Sequence, residues 1–296
     1  MLTRRTLIKG ALTATASLLA LAAYPFVEVM ARPRITRHTL TPNGWTPGLK
    51  LRIVALADIH ACNPWMTVDR IRQICATANG LGGDVILLLG DCVTATDLVT
   101  DPIAPSQWAS ALATLKAPLG VHAILGNHDY WHDDAFQLDP DGPNLAHEAL
   151  KNAGIATYVN QATRLEKDGN PFWLAGLGDQ MALPGRRFGG LDDLPETSRQ
   201  ITDTASAILM AHEPDIFARM DEASESMSLV LSGHTHGGQI NIFGWRPMAA
   251  SAGSRRYPAG HYREFGRDLI VSRGLGCSVL PVRIGSRPEI NVIELG

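Results

Sequence analysis

The sequence predicts an α/β fold in which two mixed β-sheets pack on each other between outer helices, four layers in the order α/β/β/α. Three observations predict it. Short continuous apolar runs alternate with helical segments in the first half, strands become more frequent in the second, and polar residues able to do chemistry recur directly after strands. Continuous apolar runs mark strands covered on both faces, and the helices between them imply parallel crossovers. A later series of strands implies a second sheet laid on the first.

The elements follow in chain order. "TRRTLIKG" precedes an uncharged run from Gly10 to Val27, and a basic segment ahead of an apolar one is an export signal rather than a core helix. Arg4-Arg5 followed by Leu7, Ile8 and Lys9 resembles the twin-arginine signal. The run also approaches the ~20 residues that span a bilayer. Residues 1–31 are therefore expected to be a twin-arginine-type signal peptide or a membrane anchor. Ala22 and Ala31 each end a small-residue site where a signal peptidase could cut. Residues 32–48 contain Pro and Gly without an apolar period and read as a linker. One α/β domain is expected from 49 to 296.

Within it, "LRIVALA" (51–57), "DVILLLG" (84–90) and "VHAILG" (121–126) are predicted strands. Helices are predicted over Thr67–Asn79, Ser106–Lys116 and Asn144–Ala153; in the first, Val68, Ile71, Ile74 and Cys75 share a face. Further strands are predicted at Ile155–Val159, Phe172–Gly176, Ala205–Ala211 and Ser228–Ser232, with Pro214–Ala223 helical between the last two. "QINIFG", "DLIVSRG" and "EINVIELG" close the chain as strand or turn.

Composition excludes several classes. With 45% hydrophobic and 19% charged residues the chain is neither disordered nor fibrous. A formal net charge of −3 offers no basic face, so no nucleic-acid binding is expected. Cys62, Cys75, Cys92 and Cys277 form no C-x-x-C pair, which argues against a zinc ribbon or a thioredoxin-like site and for small buried side chains.

The chemistry sits at strand ends. Asp58 and His60 follow the first strand, Asp91 the second, Asn127, His128 and Asp129 the third, His212 follows "AILMA", and His234 and His236 follow "LVLSG". Ligands of parallel α/β sheets bind at the carboxyl ends of strands, so these separate segments can meet in one crevice. Imidazole suits zinc, iron or manganese, and carboxylate and amide oxygens add hard ligands. Asp58, His60, Asp91, Asn127, His212, His234 and His236 are too many for one tetrahedral ion and enough for two. A bridging carboxylate would hold two ions ~3.5–4 Å apart, the arrangement that turns water into hydroxide and neutralises phosphoryl oxygens during in-line displacement.

Asp58-x-His60, Gly90-Asp91, Gly126-Asn127-His128-Asp129, His212 and Gly233-His234-x-His236, in that order, resemble the calcineurin-like metallophosphoesterase family across the whole domain. "SGHTHGGQINI" and "SRGLGCSVLPVRIGSRPEI" resemble its bacterial exported, phosphodiesterase-like branch. The resemblance implies a phosphoesterase with two divalent ions, Mn, Fe or Zn, and attack by a metal-bound hydroxide. Asp58, His60 and His236 would hold the first ion, Asp91 would bridge, and Asn127, His212 and His234 would complete the second site. His128 would contact substrate phosphate and protonate the leaving oxygen, with Asp129 orienting its imidazole. The chain departs from the family after His60, where Ala61-Cys62-Asn63 replace the usual apolar residue and glycine.

The expected substrate is a phosphodiester or phosphomonoester outside the cytoplasm. The alternatives are pyrophosphate cleavage in a nucleotide-linked glycolipid of the lipid-A precursor type, and a non-catalytic metal-binding envelope protein. Arg186-Arg187, on an expected surface loop from Gly178 to Thr197, could grip a second phosphate. Trp245, Met248, Arg255, Arg256 and Tyr257 are expected to rim the pocket or touch a membrane. The expected partners are the phosphate ester, the twin-arginine export machinery and a membrane.

Overall fold

The computed structural model describes residues 3–96, 98–185, 189–220, 224 and 226–296. Arg186 and Arg187 lie outside the described residues. Among the described residues two six-stranded sheets pack against each other. The first contains β1 (Arg34–Leu40), β2 (Leu51–Leu56), β3 (Val85–Leu89), β4 (Val121–Ile124), β5 (Ala156–Tyr158) and a last strand, Glu289–Leu295. The second contains β6 (Gln161–Lys167), β7 (Asn170–Gly176), β8 (Ala207–Met210), β9 (Met227–Ser232), β10 (Gly260–Glu264) and β11 (Arg267–Val271). With Glu289–Leu295 labelled β12, the orders are β1-β12-β2-β3-β4-β5 and β10-β11-β9-β8-β7-β6.

Each sheet has a parallel centre, β2 to β5 in one and β7, β8, β9 and β11 in the other. The period of two explains the layering. In β2, Leu51, Ile53 and Ala55 face the second sheet and meet Phe172, Leu174, Ile208, Met210, Leu229 and Leu231. Val54 and Leu56 face outward, onto the helices α2 (Val68–Asn79), α3 (Pro105–Leu112) and α6 (Leu145–Asn152). Between the last two lie the short α4 (Asn127–Trp131) and α5 (Asp134–Leu138). On the far side, Trp173, Leu209 and Val230 pack on Ile216 and Phe217. These last two lie in a 3-10 turn, Pro214–Arg219, where a longer helix is predicted.

α2 starts because the Thr67 hydroxyl accepts from Arg70 N–H and shows Ile71, Ile74, Cys75 and Ala78 to the core. Asn144 caps α6 in the same way, accepting from His147 N–H at 2.9 Å.

The linker reading of residues 32–48 needs correction. Arg34–Leu40 is an edge strand paired in parallel with β12 along its whole length, Arg34 opposite Glu289 through Leu40 opposite Leu295. It lacks an apolar period because polar side chains hold it: Thr36 Oγ1 donates to Glu289 at 2.7 Å, and His38 Nε2 meets Asn291 Oδ1 at 3.1 Å.

Ahead of β1 runs a single helix, α1 (Arg4–Val29), long and apolar enough to cross a membrane. Most of it is exposed, but its last turn is part of the domain. The Glu28 carboxylate accepts Gly285 and Ser286 N–H at 3.0 and 2.9 Å. Pro25 O accepts from Arg283 N–H at 3.0 Å, and the Arg70 guanidinium donates to Val29 O at 2.6 Å and to Ala31 O at 3.3 Å. Carbonyls left over at a helix C-terminus thus find cationic and backbone partners.

Candidate metal centre

The seven predicted ligands come together at the carboxyl ends of the central strands, all buried. The loop after β2 runs beside the loop after β3: Asp58 N–H donates to Gly90 O, His60 N–H to Asp91 O and Ala61 N–H to Cys92 O, at 2.8–3.1 Å. Five of the seven, Asp58, His60, Asp91, His234 and His236, have φ between 48° and 67°, the left-handed region that side chains with a Cβ avoid. Gly90 takes φ 88°, and a Cβ there would lie 2.6 Å from Gly126 N and 2.7 Å from His212 Nδ1. The backbones are packed this closely so that the side chains can converge.

Two groups form. Asp58, His60 and His236 bring one donor atom each within 4.8 Å of one another, and so do Asp91, His212 and His234. Asp91 stands between them, its Oδ2 3.6 Å from His60 Nε2 and 3.2 Å from His212 Nε2. Asn127 joins the second group, its Oδ1 3.0 Å from His234 Nδ1.

The tautomers are set from behind. His60 Nδ1 donates to Val93 O at 2.8 Å and His212 Nδ1 to Leu89 O at 2.7 Å, leaving each Nε2 pointing inward. His60 Nε2 faces His236 Nε2 at 3.1 Å, while Asp58 Oδ2, His212 Nε2 and His234 Nε2 are buried without a hydrogen-bond partner. Burial holds His60 down at about 3, His234 at about 4 and His236 well below the usual histidine value. Burial would also pull His212 down, but the Asp91 carboxylate overrides it and holds it well above. A set of inward-facing imidazoles and carboxylate oxygens with unsatisfied lone pairs fits cations, which such orphaned atoms require.

His128 sits beside this group. Its N–H donates to Asp91 Oδ1 at 2.9 Å and its ring packs edge-on to His60, centroids 5.3 Å apart. The predicted orienting role of Asp129 is corrected. Its Oδ2 accepts Asp91 N–H and Gly126 N–H, and its Oδ1 accepts Cys92 N–H and Val93 N–H, at 2.8–3.0 Å. A carboxylate saturated by four backbone donors shapes the Asp91 loop and leaves no oxygen for the imidazole. His128 Nδ1 instead meets His132 Nε2 at 3.1 Å.

Asp133 is buried; it caps α5 through Phe136 N–H at 3.1 Å and accepts Leu145 N–H at 2.7 Å. Spacing gave no sign of Arg283. It is a fully buried guanidinium that donates to the carbonyls of Arg273, Gly276 and Ser286 and reaches His236 Nδ1 at 3.1 Å. The Ser286 hydroxyl donates to His236 O at 2.6 Å. A buried carboxyl pair, Asp179 and Glu213, lies behind His212. Burial, then the Glu213 charge, holds Asp179 well above the carboxylate range. "LAGLGD" follows the same strand-then-acid pattern as "LLLGD", so Asp179 was legible in the sequence. It also starts a segment expected on the surface, where Asp179, Ala182 and Leu183 are in fact buried. Burial raises the Cys62 thiol and raises the Cys92 thiol well above the usual range, so both are small packed side chains rather than thiolate nucleophiles. Tyr257 is likewise buried, whereas Trp245 is exposed.

The family model for calcineurin-like phosphoesterases matches residues 51–238. The chain is 30% identical to the metallophosphoesterase YkuE of Bacillus subtilis over 99% of its own length and 98% of that protein's. It is 31% identical to the phosphodiesterase YaeI of Escherichia coli, over 82% of each chain. A transmembrane protein with a metallophosphoesterase domain from Danio rerio is 30% identical over 93% of this chain and 60% of its own.

Proposed function

Because the chain belongs to the calcineurin-like phosphoesterase family, we propose that it hydrolyses a phosphodiester or phosphomonoester at a dinuclear metal centre on the outer side of a membrane that it spans once. The family makes it a metal-dependent phosphoric ester hydrolase. The observation that carries the dinuclear reading is the position of Asp91 between two buried donor groups with unsatisfied inward lone pairs.

Asp58, His60 and His236 would hold one ion, Asn127, His212 and His234 the other, with Asp91 shared. Two such cations supply Lewis-acid activation of water and neutralise the phosphoryl oxygens. The chain's own residues do the rest. Val93 O and Leu89 O keep His60 and His212 in the tautomer that offers Nε2 inward. The Asp91 carboxylate fixes the start of α4 through His128 N–H, which places the His128 imidazole at the edge of the centre. With Nδ1 engaged by His132, His128 delivers its proton from Nε2 to the leaving oxygen.

Export is read from Arg4-Arg5 and its apolar run, which would direct the chain to the twin-arginine machinery. Retention of α1 as an anchor is supported by its docked last turn, since cleavage after Ala31 would strip two N–H groups of the Glu28 carboxylate. The name of the Danio rerio relative describes a transmembrane protein, consistent with this. The test is hydrolysis of bis-p-nitrophenyl phosphate and p-nitrophenyl phosphate by purified full-length chain with Mn, Fe or Zn added. Turnover of the diester in excess of the monoester is expected. No turnover with any metal at full occupancy would overturn the reading.

A further inference from the structure

We propose that the catalytic domain rests on the lipid bilayer through a collar of exposed apolar side chains at the exit of α1. The inference rests on the reading of α1 as a bilayer-spanning helix. It adds a second surface, built from segments remote in sequence.

The collar can be traced contact by contact. The Phe26 ring, near the end of α1, lies 6.1 Å from the Trp65 ring. Trp65 Nε1 donates to Leu98 O at 2.8 Å, and Leu98 N–H to Thr96 Oγ1, whose hydroxyl in turn donates to Val279 O at 2.9 Å. Gln239 Nε2 donates to Ser278 O and Leu280 O at 2.9 and 3.0 Å. Past Gln239 the chain forms a tight loop closed by reciprocal hydrogen bonds between Ile242 and Trp245. That loop is fastened to Ile284, which accepts from Asn241 N–H at 2.7 Å and donates to Gln239 O at 3.0 Å. Arg283 and Gly285, on either side of Ile284, bind Pro25 O and the Glu28 carboxylate. The path has returned to α1.

What this ring shows to solvent is apolar. Phe26, Leu98, Val279, Leu280, Phe243 and Trp245 are all more than 40% exposed, and Phe243 is completely so. Water opposes the exposure of so many large apolar side chains on neighbouring segments, and such surfaces mark partner or membrane contacts. The occupant is decided by the helix at which the path begins and ends. The uncharged part of α1, Gly10–Val27, is about 27 Å long as a helix, close to the ~30 Å hydrocarbon core, and it ends at the collar. Tryptophan and phenylalanine favour this depth, and exposed Arg246 beside Trp245 can reach a lipid phosphate. The bonded loops keep the apolar side chains on one rim rather than letting them collapse inward.

The test uses the full chain reconstituted into vesicles of phosphatidylethanolamine and phosphatidylglycerol. Single cysteines are introduced by Leu98→Cys, Phe243→Cys and Leu280→Cys, with Glu166→Cys on the opposite end of the second sheet as control, and labelled with an environment-sensitive fluorophore. The four native cysteines are buried. Labels at 98, 243 and 280 should shift to shorter wavelength and lose intensity to brominated lipid, while the label at 166 does neither. Labels at 243 and 280 that stay as solvent-exposed as 166, in vesicles from which alkaline carbonate does not release the chain, would overturn the collar while leaving the anchor. Carbonate release with the labels still quenched would keep the collar and overturn the anchor. A Phe243→Asp/Trp245→Asp variant should hydrolyse p-nitrophenyl esters at the parent rate and lose the lipid quenching at 280.

Discussion

His128 and His132, one helical turn apart, stack with ring centroids 5.3 Å apart and share a hydrogen bond of 3.1 Å between Nδ1 and Nε2. The hydrogen-bond partner of the His128 ring therefore lies four residues downstream, and is not the carboxylate next to it.

His128→Ala should keep both ions and lower the rate of ester cleavage by about 10²–10⁴. His132→Phe, which preserves the stacking and removes the bond, should lower kcat by about tenfold and shift its pH profile, as expected for loss of an orienting partner. Metal content and steady-state kinetics on both variants check this. An unchanged pH profile in His132→Phe would sink the orienting role.

Asp129→Asn should act on the fold rather than on proton transfer. Its amide group would face backbone N–H donors now held by a carboxylate oxygen, and each buried donor left without a partner costs about 1–3 kcal/mol. Thermal unfolding should drop markedly, and metal stoichiometry should fall with it because the Asp91 loop loses its clamp. A variant with parental Tm and metal content but low kcat would restore the predicted orienting role.

Chelation should destabilise the domain, since Asp58 Oδ2 and His234 Nε2 are left buried without a partner. Two sites each filled at ~100 times Kd contribute on the order of 2.7 kcal/mol apiece. Scanning calorimetry with and without chelator, and elemental analysis for two ions per chain, check this. Asp91→Asn should lose more metal than a change at either outer predicted ligand, because Asp91 stands between both donor groups.

Glu28→Ala should reach the metal centre from the last turn of α1. It frees Gly285 and Ser286 N–H, and the Ser286 hydroxyl supports the His236 carbonyl. We expect a stability loss of about 1–3 kcal/mol and weaker metal retention, read by unfolding and by competition with a fluorescent chelator. Glu28→Gln, which keeps one acceptor, should fall between.

Much of the centre was legible because residues at strand ends follow the hydrophobic pattern: once "LRIVALA", "VILLLG" and "AILG" are read as parallel strands, Asp58, Asp91 and Asn127 must share an edge. Residues whose work is done on backbone amides were not legible. Asp129 and Glu28 each bind backbone N–H groups, which every residue but proline carries and which residue type therefore does not reveal. Arg283 is buried because three loop carbonyls need a donor, which spacing cannot reveal. β1 escaped for a related reason. A strand at a sheet edge, held by polar side-chain pairs, leaves no alternation to read.

Five ligand residues hold left-handed backbone angles that cost about 1–2 kcal/mol each relative to glycine. Selection for stability alone would replace them. A library screened only for thermal resistance should therefore enrich glycine at positions 58, 60 and 236, yielding sturdier proteins that have forgotten how to cut. At these five positions the uncomfortable backbone is the local cost of turning the side chains into one crevice.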